Sequence, residues 1–213
     1  PAFYARRDPQ GWCVELIDGG YMTGSTLAID SQNTPYGACV PHYGAPGWNE
    51  VRVAHRQGEA WQHESLPFRE TVYGYSRYLF DPSICLDPEN RCHIAYTDSG
   101  DLSFAVRDVA GWEIEHVRAG ATAGGQLSMA RDPTGRRWCL VQWWHPSSRL
   151  ILAHEDAGTW AFDSVDSAQY PSGQALALDG FNRAHVSHVL WPNVLQHDLY
   201  EGGVFSSVEV DSS

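Results

Sequence analysis

Short apolar runs alternate with polar turns along the stretch from Asp81 to Val117. The sequence DPSICLDPENRCHIAYTDSGDLSFAVRDVAGWEIEHV contains four such runs, separated by turns that are rich in Asp, Gly or Pro. Runs of about five residues between turns of this composition are typical of β-strands. Because the turns are short, we expect consecutive strands to pair antiparallel. The predicted strands are Ser83–Leu86, Cys92–Tyr96, Leu102–Val106 and Trp112–Val117.

The same four-strand unit recurs along the whole chain. An Asp closes the first strand of each unit, a ring follows six residues later, and another aromatic residue opens the fourth strand. Units of four short strands that return every 45 to 57 residues are typical of β-propeller blades. The closing residues are Asp30, Asp87, Asp132 and Asp179; the rings are Tyr36, His93, Trp138 and His185; the opening residues are Trp12, Trp61, Trp112, Trp160 and Phe205.

These repeated residues are interpreted as structural. The four aspartates are expected to cap turns, and the four tryptophans that open the fourth strands are expected to belong to the core. His93 and His185 occupy equivalent positions in two units, so we expect them to be framework groups that form hydrogen bonds within their own blades.

Two of the repeats resemble a known family. SICLDPENRCHIAYT and ALALDGFNRAHVSHV are similar to bacterial β-propeller repeats of the pattern LALD-x-x-G-x-x-H-V-x-Y. The resemblance covers essentially the whole chain and implies an all-β fold, a β-propeller of five four-stranded blades. It implies little about function, because propellers include lectins, hydrolases, lyases and scaffolds. The sialidase Asp-box, S-x-D-x-G-x-x-W, matches none of the turns.

We interpret the chain as one β-propeller domain of four complete blades and an N-terminal half blade. Residues 1–18 match only the third and fourth strands, and the complete blades cover 19–66, 67–118, 119–166 and 167–211. An incomplete blade leaves strand edges unpaired, which favours aggregation. Three hypotheses account for it: about 25 further N-terminal residues, estimated from the repeat period, a hairpin supplied by a second chain in a homo-oligomer, or a two-stranded flap. We favour the first.

The net charge of −12 narrows the classes of partner. Nucleic acids and anionic membranes select basic surfaces, so we predict that neither is a partner. A neutral or cationic ligand is compatible with this charge, although solubility alone also explains it. The sequence contains no apolar run of about 20 residues, the length that a membrane-spanning helix needs.

Five cysteines lie in predicted strands: Cys13, Cys39, Cys85, Cys92 and Cys139. None belongs to a C-x-x-C pair, so a zinc ribbon is not expected and no metal site is predicted. We predict buried free thiols, which behave as small apolar side chains and favour an intracellular location. A local disulfide between Cys85 and Cys92, which flank one turn, is the alternative.

The resemblance implies that a ligand would bind at one mouth of the central shaft. Two sets of loops open there: those that lead into each first strand and those that join second and third strands. The loop Leu66–Pro82 is about twice as long as the others of its kind and is rich in aromatic and charged residues. Loops of this length are often lids or plugs. Its alternative role is only to cover the shaft.

Tryptophans in the loops between second and third strands point to a ligand, because exposed indole rings prefer burial or a partner. We predict one aromatic-lined pocket that binds a small organic or carbohydrate ligand and uses no cofactor. Packing beneath the long loop is the alternative. The predicted ligand-binding residues are Trp48, Arg69, Tyr73, Arg77, Asp98, Trp144 and Trp191.

An enzyme that uses the same pocket is the second hypothesis. His145, Glu70 and Tyr75 are the candidate catalytic residues, since imidazole, carboxyl and phenol groups can transfer protons. Neither G-x-S-x-G nor H-E-x-x-H occurs, so the chemistry would be non-covalent acid–base catalysis of a lyase, hydrolase or cyclase type. A protein-interaction scaffold is the third hypothesis.

Overall fold

The computed structural model describes residues 1–20, 22–41, 50–66, 82–98, 100–118, 123–143, 148–166 and 172–211. Every regular element in these ranges is a β-strand. Across the same ranges, no helix is long and apolar enough to cross a membrane.

Eighteen strands follow one another in the described ranges. Their bounds are β1 (Ala2–Asp8), β2 (Gly11–Asp18), β3 (Met22–Ile29), β4 (Pro35–Pro41), β5 (Arg52–Gln57), β6 (Ala60–Ser65), β7 (Ser83–Leu86), β8 (Cys92–Asp98), β9 (Asp101–Arg107), β10 (Trp112–Arg118), β11 (Ala123–Arg131), β12 (Arg137–Trp143), β13 (Arg149–Asp156), β14 (Thr159–Asp166), β15 (Ser172–Leu178), β16 (Ala184–Leu190), β17 (Val194–Glu201) and β18 (Val204–Asp211).

The strands form five antiparallel sheets. β1 and β2 form a two-stranded sheet, the half blade, and the remaining strands form four-stranded sheets in chain order: blade 1 (β3–β6), blade 2 (β7–β10), blade 3 (β11–β14) and blade 4 (β15–β18). The first strands of successive blades contact each other, β3 with β7, β7 with β11, and β11 with β15. They are therefore the inner strands of a β-propeller, and the prediction of an all-β propeller is confirmed.

The hydrophobic core is divided among the interfaces between adjacent blades. One cluster joins blades 1 and 2 around Val51 and Ile94, a second joins blades 2 and 3 around Phe104 and Val141, and a third joins blades 3 and 4 around Leu152. Strands in the middle of the array are consequently buried on both faces: every residue of β8 is buried. The burial of each blade depends on its neighbours because propeller sheets pack face to face.

The leading face of a sheet packs on the preceding blade, and its trailing face packs on the next one. Links between neighbouring inner strands recur: the Ser83 hydroxyl accepts the backbone N–H of Met129 at 2.9 Å, and the Ser128 hydroxyl accepts that of Leu176 at 2.9 Å. Both serines lie four residues before the Asp that closes their strand. These bonds hold successive blades in the same register.

The repeated aspartates cap turns, as predicted. Oδ1 of Asp87 accepts the backbone N–H groups of Glu89 and Arg91 at 3.1 and 2.7 Å, and its Oδ2 accepts Nε of Arg91 at 2.7 Å. Asp30, Asp132 and Asp179 accept the equivalent backbone N–H groups. An Asp side chain stabilises a turn in this way because it accepts the amides of the residues that follow it.

His93 and His185 hydrogen-bond to the Asp of their own turns. Nε2 of His93 lies 3.0 Å from Oδ2 of Asp87, and Nε2 of His185 lies 3.3 Å from Oδ2 of Asp179. Both histidines are therefore framework groups, as expected.

The tryptophans that open the fourth strands contact the preceding blade. Nε1 of Trp160 donates to Glu115 at 2.9 Å, and Nε1 of Trp112 donates to Glu64 at 3.2 Å. Both indoles pack against the inter-blade clusters.

Trp12 differs from the other three tryptophans. It is 71% exposed, so the prediction that it belongs to the core is wrong. Its indole lies on the leading face of the half blade, and no other described residue covers that face.

All five cysteines are free thiols, as predicted, and Cys85 and Cys92 form no disulfide. Cys39, Cys92 and Cys139 are buried as expected, whereas Cys13 and Cys85 are only partly buried. Burial raises the pKa of the Cys85 thiol to about 12. The thiol therefore stays protonated at neutral pH and behaves as a small apolar side chain.

Candidate ligand-binding site

A cavity of about 230 Å³ lies at the end of the hairpin formed by β16 and β17. Its walls come from the start of β15, the end of β16 and the turn that follows. The lining residues are Ser172, Val189, Leu190, Trp191, Pro192 and Asn193.

The hairpin register places the indole of Trp191 at this cavity. Leu190 pairs with Val194 across β16 and β17, so only the three residues 191–193 are left to form the turn. Pro192 restricts the backbone of this turn, since its ring fixes φ. Trp191 is 82% exposed, which leaves most of its ring open to solvent.

The wall of the cavity on the β15 side is shaped by an irregularity in strand pairing. Ser172 lies opposite Val189 in the sheet, and the register then shifts before Ala175. Gly173 adopts a φ of 59° at this irregularity, a left-handed conformation that favours glycine. The bulge therefore shapes the rim of the cavity beside Ser172.

A buried polar pair anchors the strand behind the cavity. His188 is fully buried, and its Nε2 lies 2.7 Å from Oδ2 of Asp198, which is 1% exposed. The hydroxyl of Ser207 donates to the other carboxylate oxygen. These two contacts join β16, β17 and β18 at His188, the residue next to Val189 of the cavity wall. Polar groups buried this deeply are stable only when they are hydrogen-bonded, so the network fixes the position of the cavity wall.

Sequence reasoning missed the pair formed by His188 and Asp198. The available signal was the alternation of β16, where Ala184, Val186 and His188 share one buried face. A histidine in register with core residues indicates a buried partner, and the acidic residue on the next strand was the candidate.

Of the predicted site residues, Trp191 and Asp98 belong to the described part of the chain. Trp191 lines the cavity, as stated above. Asp98 is 6% exposed and pairs with Asp101 at the end of the β8–β9 hairpin, so it lies in a different blade. The other predicted residues lie outside the described residues: Trp48, Arg69, Glu70, Tyr73, Tyr75, Arg77, Trp144 and His145.

The described lining of the cavity carries no charged side chain. Val189, Leu190 and Pro192 offer an apolar wall, and the Trp191 indole offers a flat surface. Ser172 and Asn193 add a hydroxyl and an amide. An apolar surface with a few polar groups is typical of a site for a small organic ligand. Across the described ranges, no cluster of three or more His, Cys, Asp or Glu side chains could hold a metal ion.

No protein-family model and no curated protein matches the sequence. Solved structures do match the fold. A protein of unknown function from Dyadobacter fermentans matches with a TM-score of 0.67 and 14% identity, over 94% of this chain and 69% of the other. The α-L-arabinanase of Penicillium chrysogenum, in complex with arabinobiose, matches with a TM-score of 0.64 and 10% identity, over 89% and 66%.

A lectin is also among the similar structures. A variant of the Aleuria aurantia lectin in complex with α-methyl-L-fucoside matches with a TM-score of 0.60 and 14% identity, over 98% of this chain and 69% of the lectin. At such low identities the likeness establishes the fold and does not transfer a function.

Proposed function

We propose that this chain binds a neutral carbohydrate at the cavity beside Trp191, with one sugar ring stacked on the indole. The carrying observation is that Trp191 is 82% exposed at the rim of a cavity of about 230 Å³. An indole at the rim of a cavity offers a flat apolar surface on which a ligand ring can pack. Sugars present an apolar face of C–H groups that can cover such a ring.

The polar groups of the lining support this proposal. Ser172 and Asn193 lie in the lining with Trp191, and a hydroxyl and an amide can each both donate to and accept from sugar hydroxyls. The bound ligands of two similar structures, α-methyl-L-fucoside and arabinobiose, are neutral sugars as well. The loop Leu66–Pro82 and the aromatic and charged residues predicted from the sequence remain predicted contributors to the site.

Catalysis in the same cavity is the alternative hypothesis. It would need a proton donor or acceptor within hydrogen-bonding reach of the ligand, and the candidates His145, Glu70 and Tyr75 lie outside the described residues. The described lining carries no carboxyl or imidazole group, which favours binding over catalysis.

Isothermal titration calorimetry tests the proposal, with α-methyl-L-fucoside and arabinobiose as the first probes and a wider glycan panel after them. Loss of the stacking surface in Trp191→Ala should weaken binding about tenfold or more, which corresponds to about 1.4 kcal/mol. Trp12→Ser is the matched control, since it removes another exposed indole that lies far from the cavity in sequence and in a different sheet.

Two results would overturn the proposal: no binding to any glycan of the panel, or equal binding by Trp191→Ala and the unaltered chain. Release of reducing sugar from a bound oligosaccharide would instead support the catalytic alternative.

A further inference from the structure

The contacts between successive blades follow one rule. On the leading face, the tryptophan that opens the fourth strand and the residue two positions later pack against the preceding blade; these pairs are Trp112 with Ile114 and Trp160 with Phe162. On the trailing face, the residues three and five positions after the tryptophan meet the next blade. Examples are Glu115, which accepts Nε1 of Trp160, and Val117, which packs in the cluster between blades 2 and 3.

The half blade follows this rule on its trailing face only. Glu15 lies three residues after Trp12, and its Oε1 lies 3.2 Å from the guanidinium of Arg56 in blade 1. Tyr4 packs edge to face against Trp61 at 5.5 Å. The half blade is therefore docked on blade 1 through the same interface that joins the complete blades.

The leading face of the half blade is apolar and open. Trp12 and Val14 occupy the positions of Trp160 and Phe162, but they are 71% and 61% exposed. Two further apolar residues of this face, Phe3 and Leu16, lie opposite each other across β1 and β2 and are 60% and 53% exposed.

The trailing face of blade 4 is open in the complementary way. Val208 and Val210 lie three and five residues after Phe205, at the positions of Glu115 and Val117. They are 62% and 58% exposed. The pairing of β10 with β9 skips Val117. The pairing of β18 with β17 skips Val210 in the same way, since Leu195 pairs with Asp211 and Gln196 with Glu209.

We propose that a second copy of this chain covers these surfaces, with the leading face of one half blade docked on the outer strands of blade 4 of the other copy. The occupant follows from continuity with the established interface: in every described blade junction a leading face meets a trailing face, and each chain exposes one of each. The two open surfaces are also both apolar, because Trp12 and Val14 would meet Val208 and Val210. At the equivalent positions, the closed interfaces pair indoles with carboxylates.

The two surfaces differ from each other, so the association is head to tail. The cavity beside Trp191 lies at the inner strands of blade 4 and at the β16–β17 turn, whereas a second copy would dock on the outer strands, so the cavity should stay accessible. Self-association and sugar binding are therefore separable.

Head-to-tail association gives a distinctive mixing result. Trp12→Asp blocks one surface and Val208→Asp blocks the other. We expect the unaltered chain to increase in mass with concentration in sedimentation velocity and light scattering, and each variant alone to be monomeric. Each variant keeps one intact surface, so an equimolar mixture should form dimers and nothing larger.

Three outcomes would overturn this inference: an unaltered chain that is monomeric at every concentration, single variants that associate as the unaltered chain does, or a mixture that stays monomeric. Leu27→Asp is the control for a general loss of apolar surface, since Leu27 is 52% exposed on β3, outside both faces, and it should associate normally. If either variant fails to fold, as judged by circular dichroism, Val14→Asp and Val210→Asp supply the same test.

Discussion

The interface between blades 3 and 4 and the open trailing face of blade 4 are built from equivalent strands, yet their surfaces differ. In the interface, Trp138 stacks on His154 at 4.6 Å, and the Tyr200 hydroxyl donates to Asp163 at 2.7 Å. At the position of Trp138, blade 4 has His185, whose Nδ1 lies 3.0 Å from Nε2 of His197 within the same sheet. On the closed face, large aromatic rings contact the next blade. On the open face, the polar groups form hydrogen bonds within their own sheet.

This difference shows that the position of a residue in the repeat does not determine its environment. A propeller blade has two faces, and each is interior only if a neighbouring sheet covers it. Substitutions at equivalent positions of two blades therefore measure how much the neighbouring sheet contributes to the free energy of unfolding.

The largest expected effect comes from the closed interface itself. Leu150 is fully buried in the cluster between blades 3 and 4, so Leu150→Ala should lower the free energy of unfolding by about 2–5 kcal/mol, because it creates a cavity. Leu195→Ala is the matched variant on blade 4, where the side chain is 36% exposed, and it should cost about 0.5 kcal/mol or less. Urea unfolding measures both, and equal losses would contradict the contrast between the two regions.

Much of the fold follows from the sequence because its signals are local. The strands of blade 2 follow from runs of apolar residues between turns, and the turn at Asp87 follows from the ability of an Asp side chain to accept nearby amides. Trp12 was assigned to the core from its place in the repeat. Its exposure depends on which sheet lies beside it, and no local pattern contains that information.

The candidate site was less predictable for the same reason. An exposed Trp beside Pro in a short turn marks Trp191 in the sequence. The cavity wall, in contrast, depends on the pairing of Ser172 with Val189 and on the buried contact between His188 and Asp198. These contacts join residues that are 10 or more positions apart in the sequence, and their meeting is set by strand register.

The turn carboxylate of Asp132 should make the stability of the fold sensitive to acid. Burial by itself raises the pKa of Asp132, but hydrogen bonds from the Thr134 hydroxyl and from Arg136 outweigh it and lower the pKa to about 2. A carboxyl whose pKa is depressed by folding stabilises the fold above its unfolded value near 4, and this contribution is lost as the pH falls towards 2.

Asp132→Asn isolates this contribution. The variant should be less stable than the unaltered chain at pH 7 by about 2 kcal/mol, and the two should converge near pH 2, since the shift of the pKa corresponds to a free energy of that size. Urea unfolding at a series of pH values measures the difference. Parallel stability curves across the whole range would show that Asp132 is not held in its ionised form by the fold.

A smaller effect is expected from the hydroxyl that crosses the closed interface. Tyr200→Phe keeps the ring packed on Trp138 and removes the hydrogen bond to Asp163, so it should cost about 1 kcal/mol. Tyr4→Phe is the matched control in the half blade, where the ring contacts Trp61, and it should change stability by no more than about 0.5 kcal/mol. A loss in Tyr4→Phe as large as that in Tyr200→Phe would contradict the role assigned to the hydroxyl.

The smallest effect is expected at Trp12, and it gives the sharpest comparison because Trp160 occupies the same repeat position. Trp160 stacks on Phe104 at 4.5 Å and lies 5.1 Å beneath the guanidinium of Arg137, whereas Trp12 is 71% exposed. In dilute, monomeric protein, Trp12→Ser should change the free energy of unfolding by less than about 0.5 kcal/mol, while Trp160→Ser should cost several times as much. If Trp12→Ser is as damaging as Trp160→Ser under these conditions, the leading face of the half blade is covered within a single chain. The same variant measured at high concentration should lose stability relative to the unaltered chain, because only the unaltered chain can bury Trp12 against a second copy.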